Sequence, residues 1–172
     1  MLILSSNILY ALTSFLPLTA GIGTPELTDT STSKSNVNSH CPPRTTTTIE
    51  EQRAAFANFT NLIYTPGGNV TEAYLTYVAE DYIQHNPNTL SGRQNSIDAV
   101  QAVINAGATF EIINTAFEDD WGYAFLRVNF AGAAQPTAVV DILRMNGSCI
   151  VEHWDVMQER PANATNPIAM WS

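Results

Sequence analysis

The segment Asp141–Gln158, with the sequence DILRMNGSCIVEHWDVMQ, decides the fold that we predict for this chain. It joins two runs, Ala138–Met145 and Cys149–Gln158, that are rich in β-branched and aromatic residues, and the dipeptide Asn146-Gly147 lies between them. Asn-Gly between two such runs is a strong short-range signal of an antiparallel hairpin. Two similar runs come before this hairpin, so we predict a meander of four antiparallel strands. The predicted strands are Thr109–Phe117, Tyr123–Phe130, Ala138–Met145 and Cys149–Gln158.

Three helices are predicted ahead of the meander. A capping-box pattern, in which Thr47 or Thr48 is followed three residues later by Glu50 or Glu51, marks the start of the first helix. Apolar residues then recur at helical spacing in three successive segments. The predicted helices run from this start to about Tyr64, from Thr71 to about Glu80, and from Ser96 to just before Gly107.

Helices that are segregated from an antiparallel meander predict the α+β class. We expect three N-terminal helices packed on a curved antiparallel sheet that encloses a pocket, over residues 49–160. Seven basic and sixteen acidic residues give the chain a net charge of −9. Neither nucleic acid nor an anionic membrane is therefore an expected partner.

Both ends of the chain are predicted to lie outside this domain. Residues 1–20 are uncharged with an apolar middle, the pattern of a secretory signal peptide, and a buried N-terminal helix is the alternative. Residues 21–48, rich in Ser, Thr and Pro, predict a flexible tail, and residues 161–172 form a C-terminal tail. We expect a secreted protein, or one in the lumen of the secretory pathway, with no membrane contact after signal cleavage.

Two further features agree with secretion. The two cysteines, Cys41 and Cys149, are an even number that favours a disulfide in an oxidising compartment, and two unrelated thiols are the alternative. Motifs for N-glycosylation, with the form N-x-S/T, also occur along the chain. Their asparagines are Asn58, Asn69, Asn146 and Asn163.

The sequence contains no G-x-S-x-G, P-loop, G-x-G-x-x-G or H-E-x-x-H motif, so we expect neither a metal nor a cofactor. A zinc site would need His85, His153 and a carboxylate such as Asp155 to converge without any local spacing signature. Acid/base chemistry by histidine and carboxylates remains as the predicted type of activity.

Alternation along the last predicted strand places a histidine and a carboxylate side by side. His153 and Asp155 share one face, whereas Glu152 and Trp154 point the other way. A buried pair of this kind is a candidate catalytic pair, because burial moves pKa values into a useful range. The alternative is a solvent-facing strand with an ordinary His and Asp.

The register of the hairpin decides whether Asp141 joins this pair. A two-residue loop would place Asp141 opposite Glu152 and would predict a pair of carboxylates. A loop one residue longer would place Asp141 opposite His153 and next to Asp155, which would predict an Asp-His-Asp cluster. Both registers are compatible with the sequence.

The extended segment before Pro87 supplies further candidates. His85 is a candidate for acid/base chemistry, and Tyr82 and Asn86 are candidates for substrate binding, although an ordinary loop would have the same composition. Other aromatic residues are candidates for lining a pocket, and core packing is the alternative role for them. These residues are Tyr74, Trp121, Tyr123 and Trp154.

The segments Asp81–Pro87 (DYIQHNP) and Asp141–Gln158 resemble the SnoaL-like polyketide cyclases, a family of the nuclear transport factor 2-like superfamily. The likeness covers about residues 50–158 and implies a cone-shaped α+β barrel, usually dimeric. In that family an aspartate on the last strand is the general acid/base of an intramolecular aldol condensation, and Asp155 matches it. Asp141 matches a position where the cyclases carry a pocket histidine, so this chain departs from the pattern there.

The resemblance implies a cofactor-independent enzyme that acts on a polyketide-like or other secondary-metabolite intermediate by cyclisation, dehydration or isomerisation. Asp155 would remove a proton next to a carbonyl, while His153 or His85 would stabilise the enolate oxygen. The expected partners are an apolar small molecule and a second copy of the chain. The alternative is a non-catalytic protein of the same fold that binds a small molecule or acts as a dimeric interaction protein.

Overall fold

The structure, a computed structural model, describes Cys41 and residues 46–168, 170 and 171. The predicted signal peptide, residues 1–20, and most of the predicted tail, residues 21–48, lie outside this part of the chain. None of the described helices is long and apolar enough to cross a membrane.

Three helices precede most of the sheet: α1 Ile49–Tyr64, α2 Val70–Tyr77 and α3 Arg93–Asn105. The predicted capping box is present at α1, because the Glu51 amide donates to Thr48 Oγ1 and the Thr48 amide donates to the Glu51 carboxylate. The second helix ends earlier than predicted, because the chain enters a strand at Val78. Gly107 has a φ of 100°, the left-handed conformation expected just after the end of α3.

Five strands form one sheet in the order β1-β5-β4-β3-β2. The last four strands form the predicted antiparallel meander, with small shifts at their ends. The strands are β1 Val78–Gln84, β2 Thr109–Glu118, β3 Trp121–Asn129, β4 Thr137–Asn146 and β5 Cys149–Glu159.

Strand β1 makes this sheet mixed, which corrects the prediction of a purely antiparallel one. It pairs in parallel with β5, with Ile83 opposite Glu152 and Gln84 opposite His153. The chain passes through α3 and three strands between these partners, so no local turn signals their pairing. The sheet stays open, with β1 and β2 at its edges, rather than closing into a barrel. The α+β class and the helix-covered sheet of a cone-shaped fold are confirmed.

The helices pack on one face of the sheet, and the buried apolar side chains lie between the two layers. Phe56 and Phe59 of α1 are each only 2% exposed in this core. A Cβ atom at Gly122 of β3 would come within 2.4 Å of the Phe56 ring, so this close approach of helix and sheet requires glycine. The helix-facing side of β4 includes the buried residues Val139, Asp141, Leu143 and Met145.

The predicted disulfide between Cys41 and Cys149 is present. Cys149 is the first residue of β5, and both cysteines are buried. The bond therefore fixes the segment before α1 to the strand on which His153 and Asp155 lie.

Candidate functional site

The hairpin of β4 and β5 has neither of the two registers considered from the sequence. Asn146 pairs with Cys149 across the turn, and Met145 pairs with Ile150, but Arg144 pairs with Glu152. One extra residue of β5 is thus accommodated as a bulge. The bulge shifts all later pairs, so Asp141 lies directly opposite Asp155.

This register brings Asp141, His153 and Asp155 together as an Asp-His-Asp cluster on the helix-facing side of the sheet. His153 Nε2 lies 3.1 Å from Asp141 Oδ1, and the two side chains are 13% and 10% exposed. The three side chains each offer one nitrogen or oxygen within 4.8 Å of the others. Such a set of donors is also chemically suited to a divalent cation.

Each member of the cluster has a hydrogen bond to a neighbour outside it. The Asn86 side-chain amide donates to Asp155 Oδ2 over 2.6 Å, and His153 Nδ1 lies 2.8 Å from Gln84 Oε1. The Tyr64 hydroxyl donates to Asp141 Oδ2. These bonds hold the three side chains in fixed orientations.

Sequence reasoning missed Gln84 and Tyr64. For Gln84 a signal was present, because β1 extends to Gln84 and alternation places Tyr82 and Gln84 on the same side, with Asn86 next in the series. For Tyr64 there was none, since the last residue of a helix shows no link to a strand 77 residues later.

Two buried tyrosines, Tyr74 and Tyr82, and the partly buried Tyr64 lie around the cluster. Burial raises the pKa of Tyr64, Tyr74 and Tyr82, and the nearby charge of Asp141 raises each of them further. Their hydroxyls therefore stay protonated at physiological pH and act as neutral hydrogen-bond donors.

The cluster lies where the packed interior gives way to solvent. Tyr74 and Tyr82 are 5% and 1% exposed, so the protein's own side chains occupy that region. Beyond Asp155 on the same face of β5, Met157 is 50% exposed although its partner Val139 is buried. The side of Asp155 towards Met157 is therefore more exposed than the side towards the tyrosines.

His85 does not join this cluster. Its Nε2 lies 2.8 Å from Glu152 Oε1, and its ring stacks on Trp154 with a centroid distance of 4.4 Å. Because alternation turns Gln84 and Asn86 towards the cluster, His85 between them points to the outer face of the sheet. The zinc set that was considered, His85 with His153 and Asp155, is therefore not assembled.

On the outer face Glu152 links His85 to Arg144, and these three side chains form the outer group. Glu152 also accepts a hydrogen bond from Arg144 Nε over 2.7 Å. The hydrogen bond to His85 and then the contacts with Arg144 hold the pKa of Glu152 below its usual value. Trp121 lies next to Trp154, with ring centroids 5.4 Å apart.

The predicted pocket-lining aromatic residues are thus divided between the two faces of the sheet. Tyr74 and Tyr82 lie in the core between helices and sheet. Trp121, Tyr123 and Trp154 lie on the outer face, because they pair with Arg144 and Ile142 of β4, which alternate with the buried Asp141 and Leu143. These three aromatic side chains do not line the space beside Asp155.

The asparagines of the four glycosylation motifs differ in exposure. Asn58, Asn69 and Asn163 are exposed, whereas Asn146 is half-buried at the end of β4. The Asn69 side chain also caps α2 by accepting the Glu72 amide. Glycosylation of these residues stays a prediction.

Solved structures share this fold at low sequence identity. One of them is a nuclear transport factor 2-like protein of unknown function from Burkholderia xenovorans LB400. Its TM-score is 0.54 and its sequence identity is 17%, and the match covers 67% of this chain and 89% of that one. A candidate polyketide cyclase from Bacillus cereus ATCC 10987 has a TM-score of 0.51 and 19% identity, and the match covers 63% of this chain and 74% of that one. A candidate ketosteroid isomerase from Kribbella flavida DSM 17836 has a TM-score of 0.52 and 14% identity, and the match covers 68% of this chain and 84% of that one.

Sequence comparison identifies the family through a match to a family model, not through a curated relative. No curated protein matches the chain. The sequence pattern of the SnoaL-like domain matches residues 64–153, which are more than half of the 172 residues and include β4 and most of the Asp-His-Asp cluster. This match shows that the chain belongs to the SnoaL-like domain family.

Proposed function

We propose that this protein is a cofactor-independent acid/base enzyme that moves a proton next to a carbonyl group of a polyketide-like or other secondary-metabolite intermediate. The observation that carries the proposal is the Asp-His-Asp cluster, in which Asp141, His153 and Asp155 meet at the boundary of the apolar core. Burying carboxylates has a free-energy cost, and such groups are concentrated at functional sites.

Asp155 is the general base in this proposal. The Asn86 amide binds Oδ2 and orients the carboxylate, which leaves Oδ1 to take a proton from the carbon next to a carbonyl. Asp155 is also the member of the cluster next to the half-exposed Met157, the side from which a ligand approaches.

His153 supports the enolate oxygen that this proton removal creates. It lies on the same face of β5 as Asp155, two residues away, and Asp141 and Gln84 fix its ring from both sides. Cyclisation, dehydration and isomerisation all pass through such an enolate. The candidate cyclase and the candidate isomerase among the structural neighbours agree with this class of reaction.

The substrate of this enzyme is an apolar small molecule. The surroundings support this class, since Tyr64, which binds Asp141, packs against the partly buried Phe110, with ring centroids 5.5 Å apart. Buried apolar and aromatic walls with few polar groups are typical of sites for such ligands.

The test begins with metabolite profiles of strains with and without the protein, followed by assays on the accumulated intermediate. We expect Asp155→Asn to lower turnover by about 10²–10⁴-fold, because the amide cannot take up the proton. Asp98→Asn, an exposed aspartate on α3, is the matched control and should retain full turnover. Conversion by Asp155→Asn at the wild-type rate would contradict the proposal.

The non-catalytic alternative, a binding or interaction protein of this fold, predicts a different result. Asp155→Asn would then leave ligand affinity and biological effect intact, and no intermediate would be consumed by the wild-type protein.

We also propose that the protein is a homodimer that associates through the outer face of the sheet. This face presents Tyr123, 40% exposed, and Val156, 64% exposed, beside the Trp121 and Trp154 rings. An apolar centre bordered by charges such as Arg144 and Glu152 is typical of interfaces. Light scattering should give twice the chain mass for the wild type and the chain mass for Val156→Asp.

Secretion with N-glycosylation is proposed together with this function. The disulfide supports an oxidising compartment. Treatment of the natively produced protein with an N-glycan-cleaving enzyme should lower its apparent mass, and an unchanged mass would contradict glycosylation.

A further inference from the structure

Gln84 contacts His153 on the side opposite Asp141. The Gln84 Oε1 atom accepts the backbone amide of Asn86 over 2.9 Å. An amide N–H donates only to an acceptor, so this bond identifies Oε1 as the Gln84 atom that faces His153 Nδ1. The Gln84 amide nitrogen correspondingly lies near the Tyr82 hydroxyl, at 3.3 Å.

An acceptor at this place determines which nitrogen of the imidazole carries hydrogen. Nδ1 must be protonated to donate to Oε1. In a neutral ring, Nε2 would then be a bare lone pair, yet it lies 3.1 Å from Asp141 Oδ1, which is also an acceptor. Two acceptors do not attract each other at this distance, so the contact needs a proton between them.

The groups around the pair favour this extra proton. The Asp155 carboxylate faces His153 from the same strand, and Asp141 faces it from β4. Tyr64 from α1, Tyr74 from α2 and Tyr82 from β1 are the other titratable groups near this cluster, and burial raises the pKa of all three. Neutral hydroxyls and two carboxylate groups therefore surround the ring.

We propose that Gln84 is a positioning residue that, given the acid/base function above, keeps a proton stored between His153 Nε2 and Asp141 Oδ1. Asp155 takes a proton from the substrate carbon, while the stored proton passes from Nε2 to the carbonyl oxygen. The products of this step are an enol, a neutral His153 and a protonated Asp155, and Asp141 keeps its charge. When Asp155 returns its proton to carbon and the enol hydroxyl returns its proton to Nε2, the site is restored.

Nitrogen NMR of the full protein with ¹⁵N-labelled histidine tests the stored proton without any substrate. We expect both ring nitrogens of His153 to have the chemical shifts of protonated nitrogens at pH 7, with a His153→Gln sample assigning the signals. A bare Nε2 or a bare Nδ1 would overturn the proposal. A spectrum that changes when a chelator is added would also overturn it, because a metal ion would then occupy the place of the proton.

Two variants of Gln84 test the positioning role. Gln84→Ala removes the acceptor, so the Nδ1 proton loses its partner and kcat should fall roughly 100-fold with KM unchanged and an altered pH profile. Gln84→Glu retains an acceptor oxygen and should restore both the NMR signals and most of kcat. Gln158→Ala, an exposed glutamine on the same β5 strand as His153, is the matched control.

Equal damage from Gln84→Ala and Gln84→Glu would contradict the positioning role, because an acceptor at this place would then not matter. If Gln84→Ala does not fold, the wild-type spectrum still tests the stored proton, and the spectrum and kcat of Gln84→Glu still test the need for an acceptor at this position. If the wild-type protein turns over no intermediate, the proposed function fails, and the NMR spectrum still tests the stored proton by itself.

Discussion

The two faces of β5 carry the same chemical pair in two different settings. On the helix-facing side His153 contacts Asp141, and on the outer side His85 contacts Glu152 at a similar distance. The inner side chains are 13% and 10% exposed; on the outer side Glu152 is only 15% exposed, but its partners His85 and Arg144 are 39% and 35% exposed. A histidine next to a carboxylate is therefore not informative by itself, and its surroundings decide what it contributes.

The surroundings differ most in solvent and in the number of fixed partners. The inner pair is held on both sides by Gln84 and Tyr64, so neither side chain can turn away. Water and salt ions reach the outer pair and weaken its attraction. The inner pair is thus suited to hold a proton in one place, and the outer pair to a modest surface contact.

The largest expected difference between the two faces is in stability. Asp141→Ala should lower the free energy of unfolding by about 3–5 kcal/mol, because it leaves His153 and the Tyr64 hydroxyl buried without their partner. Urea denaturation followed by fluorescence measures this change. Asp98→Ala, at an exposed aspartate, should change the free energy of unfolding by less than about 0.5 kcal/mol. Similar losses in both variants would contradict the claim that the buried Asp141 contributes more to stability than an exposed aspartate.

A smaller change is expected on the outer face. Glu152→Ala should lower the free energy of unfolding by about 0.2–1 kcal/mol, because the attractions to His85 and Arg144 are partly screened by water. In 1 M salt the difference from the wild type should shrink further. A loss as large as that of Asp141→Ala would show that the outer group is as important to the fold as the inner cluster.

The smallest expected effect is a pH dependence of the outer group. The hydrogen bond from His85 lowers the pKa of Glu152 in the folded protein. Glu152 therefore stabilises the fold at pH values above its unfolded-state pKa of about 4.3, and this contribution is lost as the pH falls through the folded-state pKa. The difference in melting temperature between the wild type and Glu152→Gln should shrink as the pH falls below about 4.3 and through the folded-state pKa. A difference that grows in acid would contradict this sign.

The parts of the fold that the sequence predicted are those whose causes are local. The Thr48 capping box marks the start of α1, and the Asn146-Gly147 dipeptide lies at the turn of the β4–β5 hairpin. The pairing of β1 with β5 was missed, because its partners are about 70 residues apart in the chain and no turn joins them.

The candidate site was predicted only in its composition. Asp141, His153 and Asp155 were all candidates, but the bulge in β5 that aligns Asp141 with Asp155 has no marker in the sequence. No face was predicted for His85, because strand alternation was not applied to the extended segment Tyr82–Pro87. Applying that rule would have turned Gln84 and Asn86 inward together.

Strand β5 also has a firmly held beginning and an open end. Cys149 and Ile150 are buried, and the disulfide fixes Cys149, whereas the residues from Val156 to Glu159 are exposed. Asp155 lies between these two parts. The strand therefore separates buried residues that maintain the fold from exposed ones, and under the proposed function Met157 is the position at which substrate preference can be redesigned with little loss of stability.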